Sequence, residues 1–118
     1  EYGNPQIYQP EMVSRGVVGI KNVLNWLDMQ SFEIPELNKA KICTKSYWIY
    51  VDQGGLLEIP VKLNQIIEKD DVIGILRNPF GDIIRTYKSP EKGIVIGKST
   101  NPVNMSGGRI IHLGILED

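Results

Sequence analysis

Shifted by 38 positions, from Gly55 onto Gly93, this sequence lies on itself without a gap. Gly55-Leu56-Leu57 falls on Gly93-Ile94-Val95, and Asp70-Asp71-Val72-Ile73-Gly74-Ile75 falls on Gly108-Arg109-Ile110-Ile111-His112-Leu113. Each copy holds a glycine, a short β-branched run, a polar middle, a turn of small or charged residues and a second β-branched run. Such runs, bounded by Gly, Pro, Asn and Asp, are strand signals. Two copies therefore predict two interlocked strand sets, whereas a solenoid needs about three stacked units. A chance likeness between two β-meanders is the plainer account; the matching turns weigh against it. Between the copies, Arg77-Asn78-Pro79-Phe80-Gly81-Asp82 reads as a hairpin turn opened by Asn-Pro and closed by Gly.

The residues before this repeat follow a different period. Glu1 to Gln9, with a proline, a glycine and an asparagine, reads as an extended loop, and Pro10 suits a first helical turn, where its missing N–H is not needed. Val13, Val17, Ile20, Leu24 and Leu27 then fall on one helical face, predicting a helix from Pro10 to Met29. Gly16 and Gly19 inside it each cost about 1 kcal/mol against alanine, which implies a close-packed neighbour. Val18, Val23, Trp26 and Met29 lie off the main stripe, so the helix is apolar on more than one side. That predicts a missing neighbour or a homo-oligomer formed through this helix. From Ile42 to Val51 the sequence turns β-rich and stops at Asp52-Gln53-Gly54-Gly55. The predicted organisation is residues 1–30 as a loop plus helix, 31–38 as a linker, and 39–118 as a mainly β domain. Pro60 and Pro102 belong at edges or bends of that domain, and Ile110 to Leu116 forms its last strand. Many short strands with glycine corners predict a small barrel or barrel-sandwich.

With 118 residues and 13.3 kDa, there is room for one ordinary domain and its core. A formal net charge of −1, from 13 basic and 14 acidic residues spread along the chain, gives no electrostatic footprint for nucleic acid. No apolar run reaches the length of a membrane span. A single cysteine, Cys43, fits a reducing compartment and predicts a cytoplasmic location. The first residue is not methionine, and the opening segment looks like the tail of something longer, so a fragment is expected.

Little in the residues alone points to catalysis. Zinc sites draw three or four ligands from His, Cys, Asp and Glu at compatible spacing, and here one His and one Cys belong to no spaced cluster. His112 sits among strand residues and reads as a hydrogen-bonded histidine on a strand face, with no obvious partner for catalysis. Cys43 and the tyrosines read as structural in the same way. No Ser/His/Asp order, phosphate loop or dinucleotide fingerprint is present, and Gly107-Gly108 is a strand-turn pair. The two-fold echo resembles the biotinyl and lipoyl carrier domains, whose modified lysine sits on the hairpin between halves. Asn78-Pro79-Phe80-Gly81 holds no lysine, so the carrier chemistry is absent there.

A wider resemblance covers almost the whole sequence. Glu1-Tyr2-Gly3-Asn4-Pro5-Gln6 followed by Gly19-Ile20-Lys21-Asn22-Val23-Leu24-Asn25-Trp26-Leu27-Asp28-Met29 resembles the end of the catalytic domain in the succinylglutamate desuccinylase/aspartoacylase family. Tyr47-Trp48-Ile49, Gly54-Gly55-Leu56-Leu57, Asn78-Pro79-Phe80-Gly81-Asp82, Gly93-Ile94-Val95-Ile96-Gly97 and His112-Leu113-Gly114 resemble the β-domain that follows it. The resemblance implies a zinc hydrolase with a carboxypeptidase-like α/β domain that cleaves the amide bond of N-acyl amino acids, with some relatives acting on other amides or esters. Its zinc ligands, a His-x-x-Glu pair and a later His, would lie upstream of Glu1. Glu1-Tyr2-Gly3 matches the Glu-x-Gly context of the family's catalytic glutamate, which implies that Glu1 takes a proton from the metal-activated water and passes it to the leaving amine. The helix would then pack on the upstream α/β domain.

Two functional classes follow. The first is the C-terminal portion of a zinc-dependent deacylase, inactive alone, with zinc and a small N-acyl amino acid as the parent's cofactor and substrate. The second is a free-standing barrel-sandwich interaction module that docks a partner through the helix or the Asn78 to Gly81 hairpin.

Overall fold

In a computed structural model, residues 3, 7–35 and 40–117 are described. The chain divides into two compact units, residues 1–39 and 40–118.

In the first unit, α1 spans Pro10–Trp26, opening on the proline as its sequence dictates. It stops three residues short of Met29, and the hydrogen bonds explain why. The Asp28 N–H reaches the Asn25 carbonyl, the Met29 N–H reaches the Leu24 carbonyl, and Asp28 adopts φ +52°. This is the left-handed closure that caps helix carbonyls. The Asn25 side chain then holds the returning backbone, accepting from Phe32 N at 2.7 Å and donating to Phe32 O at 2.9 Å. No residue of α1 is buried. A Cβ at Gly19 would meet nothing within 4 Å, so the close neighbour implied by that glycine is not among the described residues.

Among the described residues, the second unit contains eight strands. They are β1 (Cys43–Tyr50), β2 (Gly55–Glu58), β3 (Ile66–Ile67), β4 (Val72–Arg77), β5 (Ile83–Lys88), β6 (Gly93–Lys98), β7 (Val103–Asn104) and β8 (Arg109–Leu116). One four-stranded sheet runs β1-β8-β6-β3 and the other β5-β4-β2-β7, and their paired strands are antiparallel. Exchanging β1 with β5, β2 with β6, β3 with β7 and β4 with β8 converts one sheet order into the other. The sequence echo is thus a two-fold echo of topology, and each sheet draws strands from both halves.

The ungapped alignment needs one correction. Leu57 pairs with Leu76 and Leu56 with Arg77, whereas Val95 pairs with Leu113 and Ile94 with Gly114. Leu76 therefore corresponds to Leu113, one residue closer than the ungapped shift. The same slip relates β3 to β7, through Leu56↔Val103 and Ile66↔Ile94. The lost residue lies between Val95 and Val103, a stretch one residue shorter than its counterpart from Leu57 to Ile66.

The second correction concerns the barrel. The sheets do not close on one another: β1 and β3 flank one, β5 and β7 flank the other, and β3 and β7 are two residues long, too short to carry a ladder around a corner. The sheets instead share one core. Leu57, Ile73 and Leu76 from one sheet meet Ile67, Val95, Ile110, Ile111 and Leu113 from the other, with Val51 and Val61 completing it. Each such side chain contributes about 1.5–3 kcal/mol by leaving water.

Candidate functional site

Glu1, the expected catalytic residue, lies outside the described residues. Among those described, no three His, Cys, Asp or Glu side chains group as metal ligands. Cys43 is free and half-buried. These residues do not fit a zinc centre.

The hairpin between the halves forms where the sequence places it. Asn78 Oδ1 accepts from Phe80 N at 2.9 Å and Asp82 N at 3.0 Å, while its Nδ2 donates to Asp82 Oδ2 at 3.0 Å. Gly81 takes φ +94°, which favours glycine. The tip carries Phe80, 91% exposed, and no lysine.

His112 has partners that linear reading did not identify. Its Nε2 lies 3.1 Å from Ser46 Oγ, and its ring stacks on Trp48 with centroids 4.8 Å apart and planes 19° from parallel. The expectation of a hydrogen-bonded histidine on a strand holds. The cause is cross-strand register: β1 pairs with β8 so that Trp48 faces His112. Tyr47 and Ile49 pack against the core, so the alternation of a strand turns Trp48 to the other face. The Arg109 guanidinium lies 4.7 Å from the Trp48 ring centroid.

Two tyrosines form matching clasps between the halves. Tyr47 Oη, on β1, donates to Glu91 Oε1 at 2.7 Å in the β5–β6 connection, and Lys45 Nζ joins the same oxygen at 3.1 Å. Tyr87 Oη, on β5, donates to Asp52 Oδ1 in the β1–β2 connection, where Arg85 meets the other carboxylate oxygen at 3.2 Å. Burial, with the Glu91 hydrogen bond and charge, pushes the Tyr47 phenol up to about 12. Burial and the Asp52 hydrogen bond likewise raise Tyr87. The phenol hydrogen bonds lower Asp52 and Glu91, with the Lys45 hydrogen bond adding to the latter. No spacing rule links residues about 40 apart on different strands, so the clasps were not legible in sequence.

No family model and no curated protein matches the chain. Solved structures do resemble it. A succinylglutamate desuccinylase from Silicibacter sp. TM1040 is 19% identical with a TM-score of 0.78, over 99% of this chain and 37% of that one. The apo ectoine utilization protein EutE (DoeB) from Ruegeria pomeroyi is 19% identical with a TM-score of 0.79, over 98% of this chain and 38% of that one. A succinylglutamate desuccinylase/aspartoacylase from Rhodobacter sphaeroides is 16% identical with a TM-score of 0.71, over 95% and 37%. The likeness extends to both units and is one of fold, to members of the family whose motifs the sequence resembles. The chain spans little more than a third of the length of these proteins. Among the described residues, no helix is long and apolar enough to cross a membrane.

Proposed function

We propose that this chain is the C-terminal portion of a zinc-dependent hydrolase that deacylates small N-acyl amino acids, and that it is inactive without the upstream catalytic domain. The observation that carries this reading is the match of 98–99% of the chain to about 37–38% of larger solved proteins of that fold. The exposed apolar residues of α1, Val13, Val17, Ile20 and Val23, with Leu27 just after it, agree with it, because a buried seam would cover them. In this reading the zinc and its ligands belong to the upstream domain, Glu1 acts as general base, and the whole enzyme works in the cytoplasm. The β domain retains the barrel-sandwich character of carrier domains without their lysine.

Intact mass and zinc content of the native product in its source cell test the proposal. A product much heavier than 13.3 kDa, with near-stoichiometric zinc and a deacylase activity abolished by Glu1→Ala, is expected. A metal-free product of about this size overturns it. A second reading, a free-standing interaction module, draws on Phe80, whose exposure on a hydrogen-bonded turn suits a docking anchor. Pull-down of a defined partner, lost in Phe80→Ser, is its expected signature; a homodimer through α1 would instead appear as a concentration-dependent mass.

A further inference from the structure

We propose that residues 45–52 and 85–91 form a latch along one side of the β unit: two segments that open together, as one step, without unfolding of the core. The device lies wholly within the second unit and is independent of the hydrolase reading.

Both tyrosine clasps join the same two stretches of chain. One runs from Tyr47 to Glu91 and the other from Asp52 to Tyr87, with Lys45 and Arg85 adding an ion pair to each. Tyr47 stands five residues before Asp52, and Tyr87 stands four before Glu91. The early residue of each segment thus meets the late residue of the other, so the segments face one another in opposite directions. Movement of either segment away from its partner breaks both ties. Once one tie has formed, the second closes only a short loop and costs little further entropy.

The core does little to hold these segments. β1 and β5 are edge strands of different sheets, each paired on one side, to β8 and β4 respectively. The strand residues of the buried core come from β2, β3, β4, β6 and β8, whereas Tyr47, Ile49 and Tyr87 are only partly buried against it. Val51, just after β1, is the one fully packed member of either segment besides Ser89. Elements with few buried contacts are those that open below the free energy of global unfolding. Here two edges of that kind are bound to each other by side chains, so they share one opening.

Four backbone amides read the device. Val51 N donates to Gly108 O and Ser89 N to Asp71 O, both at 2.8 Å, and each reports on one segment. Leu57 N, donating to Pro102 O at 2.7 Å, and Val95 N, donating to Gln65 O at 2.9 Å, report on the core strands β2 and β6.

Native-state hydrogen exchange, followed by NMR at neutral pH, tests the latch. In the unmodified chain Val51 and Ser89 should show equal protection to within about threefold, and at least about tenfold less than Leu57 and Val95. Tyr47→Phe keeps the packed ring and removes one tie. It should speed exchange at Val51 and Ser89 alike, by about three- to tenfold, although Val51 lies beside the other clasp. Tyr87→Phe should do the same to both. A variant that speeds only the amide beside its own clasp would show two independent ties and overturn the proposal. Protection at Val51 and Ser89 equal to that at Leu57 and Val95 would overturn it as well, because the segments would then open only with the whole fold. That last comparison uses the unmodified chain and stands even should a variant misfold.

Discussion

The Tyr47 phenol donates a 2.7 Å hydrogen bond to Glu91 and so ties the first strand of one half to the first connection of the other. Tyr87 makes the reciprocal tie to Asp52. Each clasp pairs a tyrosine with a carboxylate and adds a basic residue two positions before the tyrosine, Lys45 or Arg85.

The clasps make stability depend on pH at both ends of the scale. Folding lowers the pKa of Glu91 and Asp52, so their contribution is present above the unfolded carboxylate range and lost as pH falls through the folded values. Folding raises Tyr47 from 10.0 to about 12, so its contribution is present below 10.0 and lost as pH climbs toward about 12. Urea midpoints of Tyr47→Phe should therefore lie below those of the unmodified chain at neutral pH and converge on them at both extremes. A difference that stays constant across pH would refute the assignment.

Glycines at the sheet crossings should tolerate substitution unequally. A Cβ at Gly93 would lie 2.6 Å from the Gly114 carbonyl oxygen and 2.8 Å from Leu113 Cδ1. The backbone oxygen cannot swing aside, so Gly93→Ala should cost about 1–3 kcal/mol or more. At Gly81 the space is open and only the +94° φ resists, so Gly81→Ala should cost about 1 kcal/mol. Denaturant midpoints of the two variants rank these effects.

Core and helix positions should separate sharply. Leu76 is fully buried and Leu76→Ala should cost about 2–5 kcal/mol. Val17, 46% exposed on α1, should change stability by less than about 0.5 kcal/mol when replaced by alanine in this chain. In a longer parent whose upstream domain covers α1, Val17→Ala should become clearly destabilising, and an unchanged value there would count against that seam.

Removal of residues 1–30 should leave the β domain folded. Its shared core, from Val51 to Leu113, lies wholly within residues 40–118. Cooperative melting of the truncated chain by circular dichroism is the expected result, and loss of that transition would show the core to be incomplete.

What could be read from the residue order was whatever local chemistry repeats itself. The helix from Pro10, the turn at Asn78 to Gly81, the last strand and the duplicated run starting at Gly55 and Gly93 all follow from period, proline, glycine and asparagine, because neighbouring residues alone set those preferences. Resemblance added the family whose fold the solved structures share. Tertiary pairing decided the rest. The one-residue slip between β4 and β8 came from the shorter passage from β6 to β7, the open sheets from edge strands of two residues, and the Trp48–His112 stack and the tyrosine clasps from antiparallel register. Those contacts join residues 35 to 66 positions apart, and no local preference records a distance that only folding closes.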